Sequence, residues 1–234
     1  MHKPIRHVRS NGMTTVGYCP SVKSERMIQF ESLLEKKFIS ILEFDSNVIN
    51  YYDQPVKIYY TDHTGNRRSY IPDFLVEYKN RKSVYFEVKY ESYLKANWQE
   101  VKPKFAAANL YAKACLSEFK VFKDTQINST YQENVEFLLG YTSQPIEIET
   151  KKRIVETLEK LGKSTPNDLI KFISSSSEDG SHLIRPLWIL ISNKIICCNL
   201  FQNLHMNSTI WLNRNNNSFK LLNYPYRYAK INPR

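Results

Sequence analysis

Two adjacent stretches hold residue types that can do chemistry together: Tyr70-Ile71-Pro72-Asp73-Phe74-Leu75-Val76 and, after a basic turn, Val84-Tyr85-Phe86-Glu87-Val88-Lys89. Both are β-branched and aromatic runs of strand length. Side chains alternate faces along a strand, so Val84, Phe86 and Val88 point into a core while Glu87 and Lys89 share the opposite face. If the two runs pair as a hairpin, Asp73 comes within reach of that acid and that lysine. Two carboxylates and a lysine at the edge of a sheet suit a hard divalent cation and an activated water. Mg²⁺ takes oxygen donors, keeps several waters and needs only one or two carboxylates beside substrate phosphate. Such an ion lowers the pKa of a bound water and neutralises charge developing on phosphorus. The lysine can orient or deprotonate that water or stabilise the pentavalent phosphorus. The Val88 backbone carbonyl, between Glu87 and Lys89, is a natural further ligand.

The elements that must position this set can be read around it. Ser24 is a plausible N-cap for a helix running to about Glu43, with Phe30, Leu34, Phe38, Ile41 and Leu42 on one apolar arc. Glu31 falls inside that arc and Glu35 at its edge. A carboxylate on the buried side of a helix is costly without a partner, which makes both acids conspicuous. Strands are expected at 48–52 and 56–60, with Gln54-Pro55 between them and Asp62-His63-Thr64-Gly65-Asn66 as a following turn. A helix over 98–116 carries Val101, Phe105, Ala108 and Ala112 on one face. A strand at 119–122 and a short helix at 132–139 follow. The order is that of a mixed α/β domain.

Beyond Gln144-Pro145 the composition changes. Residues 1–149 hold 20 Lys/Arg against 18 Asp/Glu, a net of +2, whereas residues 150–234 hold 13 against 5, a net of +8. A basic module joined to a nearly neutral one suggests a polyanionic partner, most often nucleic acid. Helices are expected at 150–161, 166–173 and 185–192, then a strand at 194–199, a short helix and a last strand at 208–212. That order suggests a winged helix-turn-helix. The expected domains are an arm over 1–23, a catalytic domain over 24–143 and a winged-helix-like domain over 144–234.

Other function classes are disfavoured. Cys19, Cys115, Cys197 and Cys198 form no C-x-x-C pair, and the five histidines show no metal spacing. No apolar run is long enough to span a bilayer. The start Met1-His2-Lys3-Pro4 lacks the apolar region of a secretory signal, so a reduced cytoplasmic compartment is expected. Arg67-Arg68 and Lys79-Asn80-Arg81-Lys82 are basic turns that could touch a DNA backbone or simply be solvated. Tyr224, Tyr226 and Tyr228 could stack on bases, dock a protein, or form one packed face of a terminal strand.

With these residues placed, the chain resembles the PD-(D/E)xK nuclease superfamily and, within it, the TnsA family of transposon-end endonucleases. The resemblance is carried by Leu34-Glu35 through Leu42-Glu43-Phe44-Asp45, by Val48 with Gln54-Pro55, and by Asp73-Phe74-Leu75-Val76. It continues through Val121-Phe122-Lys123-Asp124, Ile127-Asn128 and Glu133-Asn134-Val135-Glu136-Phe137-Leu138. It covers residues 24–140 well and the remainder loosely, through Ile195–Leu200. It implies a restriction-endonuclease-like α/β domain in which Glu35, Asp73 and Glu87, with the Val88 carbonyl, bind Mg²⁺ (or Mn²⁺ as a substitute), and Lys89 assists. At position 87 this chain has the superfamily's usual acid where the first-described TnsA has glutamine. Glu31 has no counterpart there; it either positions Glu35 or is a structural acid facing a lysine.

The activity implied is Mg-dependent cleavage of the 5′ ends of a mobile element in cut-and-paste transposition. The partners implied are transposon-end DNA, a DDE transposase (TnsB-like) and an AAA+ ATPase regulator (TnsC-like), in a bacterial cytoplasm near the nucleoid. The alternatives are a stand-alone restriction or repair nuclease, or a DNA-binding regulator built on an inactive nuclease core.

Overall fold

The computed structural model describes residues 15–174 and 179–214. Most of the expected arm, and the Tyr224, Tyr226 and Tyr228 stretch, lie outside those residues. The described chain divides into two compact units, one ending at Ile127 and the other beginning at Asn128.

In the first unit, β1 (Gly17–Ser21) and β2 (Arg26–Phe30) pair as an antiparallel hairpin, with Ser21 opposite Arg26 and Gly17 opposite Phe30. Residues 17–21, expected from sequence to belong to an arm, are therefore a strand. The helix expected from Ser24 starts later, as α1 (Leu33–Phe44). Its N-cap is Ser32, whose side chain accepts from the Glu35 backbone N–H. The sequence does contain this start signal, because Ser32-Leu33-Leu34-Glu35 has the S-x-x-E spacing of a capping box. Ser24 instead donates its hydroxyl to the Tyr51 carbonyl at 2.7 Å.

The main sheet holds β3 (Val48–Asp53), β6 (Phe74–Tyr78), β7 (Val84–Lys89) and β8 (Glu118–Lys123), in that spatial order. The β3–β6 and β6–β7 pairs are antiparallel and β7–β8 is parallel. Between β3 and β6 the chain makes a separate hairpin, β4 (Ile58–Thr61) with β5 (Arg67–Tyr70). Its tip needs Gly65, whose φ of +86° is open to glycine and strained for other residues. Between β7 and β8 lie α2 (Glu91–Ala96) and α3 (Trp98–Ala114). A parallel neighbour requires such a helical crossover.

Both faces of the sheet are covered, which explains why β7 is buried along nearly its whole length. On one face α1 inserts Phe38, whose ring centroid lies 5.5 Å from Phe74, 5.0 Å from Phe86 and 4.6 Å from Phe122. On the other, α3 presents Val101, Phe105, Ala108 and Ala112 to Tyr85, Phe119 and Val121, with Ile58 and Tyr70 of the hairpin in the same core. Glu87 lies on this second face and is only 2 % exposed. The expectation from sequence is a face at the edge of a sheet; β7 is instead an interior strand.

The second unit begins with α4 (Ser129–Leu139), which the expected boundaries group with the catalytic domain. Asn134 of α4 explains its placement here. Its side-chain amide donates to the carbonyls of Leu200 (2.9 Å) and Gln202 (2.8 Å), and its oxygen accepts from Leu204 N–H. There follow α5 (Ile148–Leu161), β9 (Lys163–Ser164), α6 (Pro166–Ile173), α7 (Ile184–Ser192), β10 (Ile196–Cys198) and β11 (Ile210–Leu212). Thr165 caps α6, with Pro166 at its first position. The three strands form an antiparallel sheet in the order β10-β11-β9. The short helix expected between the last two strands is absent; residues 199–209 run through turns.

Phe38 is the residue on which three strands of the main sheet converge. Phe38→Ala should lower unfolding stability by roughly 3–5 kcal/mol, read as a shift of the urea midpoint at unchanged slope. A loss below about 1 kcal/mol would mean that α1 is not clamped to the sheet through this ring.

Candidate active site

The antiparallel β6–β7 register pairs Phe74 with Phe86. One step further along each strand, Asp73 and Glu87 face one another, and residues directly opposite share a sheet face. The local geometry tightens this meeting. The Val88 N–H donates to Asp73 Oδ2 at 2.7 Å. Lys89 Nζ lies 3.3 Å from Asp73 Oδ2 and 3.3 Å from Glu87 Oε1. In a strand, a residue's N–H and C=O project to the same edge. The Val88 carbonyl therefore projects to the edge where Asp73 sits.

Glu87 is the most enclosed member. Its Oε2 accepts a 2.5 Å hydrogen bond from the Tyr70 hydroxyl. Its Oε1 is also 3.7 Å from Lys104 Nζ on α3. A carboxylate this buried is tolerated because each oxygen has a donor or a cation. The Lys104 ammonium in turn sits 5.3 Å from the Tyr70 ring centroid. Neither Tyr70 nor Lys104 stands out as a site residue from sequence. Tyr70 is visible there as the aromatic three positions before Asp73. Lys104 is hidden beside the apolar arc of its helix, since nothing local indicates that this lysine faces an acid.

Glu35 reaches the site from α1. It stands at the third position of the helix, where its carboxylate bonds back to the N-cap side chain and to the residue before it. Oε1 accepts from the Ser32 hydroxyl at 3.0 Å and Oε2 from the Glu31 N–H at 2.8 Å. Glu31 accepts from Gln54 Nε2 at 2.6 Å, and the Gln54 N–H donates to the Asp73 carbonyl at 2.9 Å. One hydrogen-bonded route thus runs from Glu35 through Glu31 and Gln54 to the backbone of Asp73. Gln54 adopts a positive φ of 46° to make this link. The Glu31 side chain bonds Gln54, while it is the Glu31 backbone N–H that bonds Glu35.

The electrostatics show the acids sensing one another. Burial raises the Glu35 carboxyl, and the negative charge of Asp73 raises it further. Burial and Asp73 likewise raise Glu87, against the lowering influence of Lys89, Lys104 and Tyr70. For Lys89, burial pulls its pKa down, but Asp73, Glu87 and Glu35 together outweigh burial and hold it above the ordinary lysine value. Lys89 is accordingly a firmly protonated cation amid three acids. Beyond it the chain is tied down, with Glu91 N–H donating to Asp124 Oδ1 at 2.8 Å and Lys123 Nζ bonding Glu91 at 3.1 Å.

Asp73, Glu87, Val88 and Lys89 are thus gathered at one end of β6 and β7. Glu35 lies within their electrostatic field while its oxygens serve the helix cap. Among the described residues, no three His, Cys, Asp or Glu side chains are assembled into a metal-holding group. Asp73 and Glu87 are oxygen donors of the kind Mg²⁺ takes, and one or two carboxylates can serve it beside substrate phosphate and water. The basic turn Lys79–Lys82 joins β6 to β7 at the end of the hairpin away from Asp73, about 20 Å along the strand.

Acids and a lysine gathered on adjoining strands of a mixed α/β domain are groups that can serve metal-assisted hydrolysis. Residues 45–124 match the family described as TnsA-like endonuclease N terminal. The match spans Asp73, Glu87, Val88 and Lys89, and also Tyr70 and Lys104; Glu35 and the second unit lie outside it. This part of the chain is similar to a TnsA-type endonuclease. No curated protein matches the chain.

Because Glu35 is raised above its ordinary 4.5, its charged form costs stability in the folded state. That cost is absent below the ordinary value and grows as pH rises above it. Glu35→Gln, which keeps one acceptor, should therefore stabilise the metal-free protein by about 1 kcal/mol at neutral pH. The gain should vanish near pH 4. Thermal melts in EDTA across pH 4–8 check this, and a variant less stable than wild type at neutral pH would contradict it.

Proposed function

We propose that the chain is a Mg²⁺-dependent DNA endonuclease that cuts the 5′ ends of a mobile element during cut-and-paste transposition. The observation that carries the reading is Lys89 held 3.3 Å from both Asp73 and Glu87, inside the stretch similar to the TnsA-like endonuclease domain. Asp73 and Glu87, with Glu35 and the Val88 carbonyl as further oxygen donors, would hold Mg²⁺ or Mn²⁺, which supplies a bound water of lowered pKa and charge neutralisation at the phosphate.

The chain's own residues divide the remaining work. Lys89, kept protonated by its acidic neighbours, acts as a fixed positive charge. Its contribution is to orient the attacking water and offset charge building on the phosphoryl oxygens, rather than to accept a proton. Tyr70 and Lys104 are positioning residues, since both act through Glu87. The Glu31–Gln54 link holds α1 and β6 in register, so that Glu35 and Asp73 keep their separation. Cover from α3 on one face and α1 on the other limits water around these charges and strengthens each interaction.

The second unit supports a DNA- or partner-docking module. From α5 onward its order of helix, strand, two helices and two strands fits a winged helix, and the net of +8 over residues 150–234 fits a polyanion. Within this reading, a DDE transposase cuts the 3′ ends and an AAA+ ATPase regulates the assembly. No helix among the described residues is long and apolar enough to cross a membrane.

A nicking assay on transposon-end DNA with Mg²⁺ or Mn²⁺ and the cognate transposase tests the proposal. Asp73→Ala should reduce cleavage by roughly a hundred- to a thousandfold while DNA or transposase binding persists. Cutting at the wild-type rate by that variant would sink the assignment. Tyr70→Phe should cost about tenfold in kcat with little change in KM, because it removes one donor from Glu87 without touching DNA. An equal loss spread into KM would indicate a contact with substrate instead.

A further inference from the structure

The β4–β5 hairpin has two unlike faces. Its register pairs Ile58 with Tyr70, Tyr59 with Ser69, Tyr60 with Arg68 and Thr61 with Arg67. Ile58 and Tyr70 are buried in the core against α3. By strand alternation, Tyr59, Thr61, Arg67 and Ser69 form the other face. Tyr59 is 63 % exposed. Two cations reach its ring: Lys57 Nζ at 5.7 Å and the Arg67 guanidinium at 6.0 Å from the centroid. Cation–π contacts at exposed sites are weak and do not neutralise either charge. Two cations at one exposed aromatic ring form a surface that suits an anion.

The hairpin's own carboxylate is not that anion. Asp62 accepts from the Thr64 hydroxyl and from the Thr64 and Asn66 N–H groups at the tip, and it pairs with Arg68 at 2.9 Å. These bonds hold the Asp62 carboxyl well below the usual range, the Thr64 hydroxyl first among them. The two adjacent arginines, alike in sequence, therefore differ. Arg68 is neutralised within the turn, whereas Arg67 stands with Lys57 around Tyr59. Continuity ties this face to the chemistry. Arg67 begins the strand that ends in Tyr70, the donor to Glu87, about 10 Å away along β5, and the chain then runs through Pro72 into Asp73.

We propose that Lys57, Tyr59 and Arg67 form a phosphate-backbone clamp that grips duplex DNA beside the cut, with the Tyr59 ring holding the two cations as a pair. The proposal rests on the nuclease reading and adds to it the surface that fixes the DNA's position. The basic turn Lys79–Lys82, at the far end of β6 and β7, plays no part in the clamp.

The test is a salt titration of binding to a short fluorescein-labelled duplex, followed by anisotropy in EDTA so that no cleavage intervenes. For Lys57→Ala/Arg67→Ala, the slope of log K against log salt should become shallower by about 2, one for each phosphate no longer neutralised. Lys57→Gln/Arg67→Gln should reproduce this, and circular dichroism should match wild type for both. Tyr59→Ala should weaken binding severalfold, while Tyr59→Phe, which keeps the ring, should not. Lys79→Ala/Arg81→Ala/Lys82→Ala should leave the slope unchanged. A wild-type slope in both double variants, an equal drop in the turn variant, or absence of any duplex binding by the full chain would overturn the clamp. The two readings fail separately. If wild type cuts DNA and the double variants bind it with the wild-type slope, only the clamp is wrong. If wild type binds through the clamp but never cuts with metal and transposase, only the nuclease assignment is wrong.

Discussion

Lys89 is the counter-charge that makes the rest of the site physically tenable. Glu87 is almost wholly buried and Asp73 half-buried, and carboxylates so placed would repel one another and suffer from reduced hydration. A protonated lysine 3.3 Å from each offsets both effects. Tyr70 and Lys104 complete the compensation of Glu87 from the hairpin and from α3. Removing one partner from such a cluster leaves an uncompensated buried charge, which is costlier than removing the whole set. The elements around β7 are therefore arranged as much by this charge balance as by the aromatic packing beneath it.

The acid on α1 both bonds the start of its own helix and stands in the electrostatic field of Asp73. Glu35 holds the Ser32 cap and the Glu31 N–H. The first turn of a helix favours a carboxylate through its free N–H groups and dipole, but burial and Asp73 outweigh that for Glu35. The same placement leaves Glu35 within the electrostatic reach of Asp73 and Lys89. The link through Glu31 and Gln54 then converts a capping arrangement into a fixed spacing between elements far apart in sequence.

The family resemblance and the geometry support one another over different stretches. The matched stretch, 45–124, covers the strands and α3 and so holds the acids and lysine of β6 and β7. Glu35 precedes it, and its inclusion depends on the electrostatic coupling to Asp73 and on the hydrogen-bonded route described above. The second unit stands on its own element order and charge. Its boundary before α4 follows from Asn134, which satisfies three backbone groups of the 199–204 turn.

Local pattern was enough to place much of this protein. The alternation in Val84–Lys89 put Glu87 and Lys89 on one face, and the Pro-Asp before an apolar run marked Asp73. Thr165-Pro166 located a helix start to the residue, because capping and strand alternation are short-range physics that a few neighbouring residues contain. The same short range explains the misses. Ser24 and Ser32 are both competent caps, and the choice between them fell to the β1–β2 hairpin, which occupies the stretch that a helix from Ser24 would need. Only the tertiary structure decided that β7 is an interior strand, that Tyr70 and Lys104 converge on Glu87, and that Arg67 and Arg68 have different fates. Each of those outcomes depends on which distant groups desolvate a charge or neutralise it, and that depends on how the elements pack.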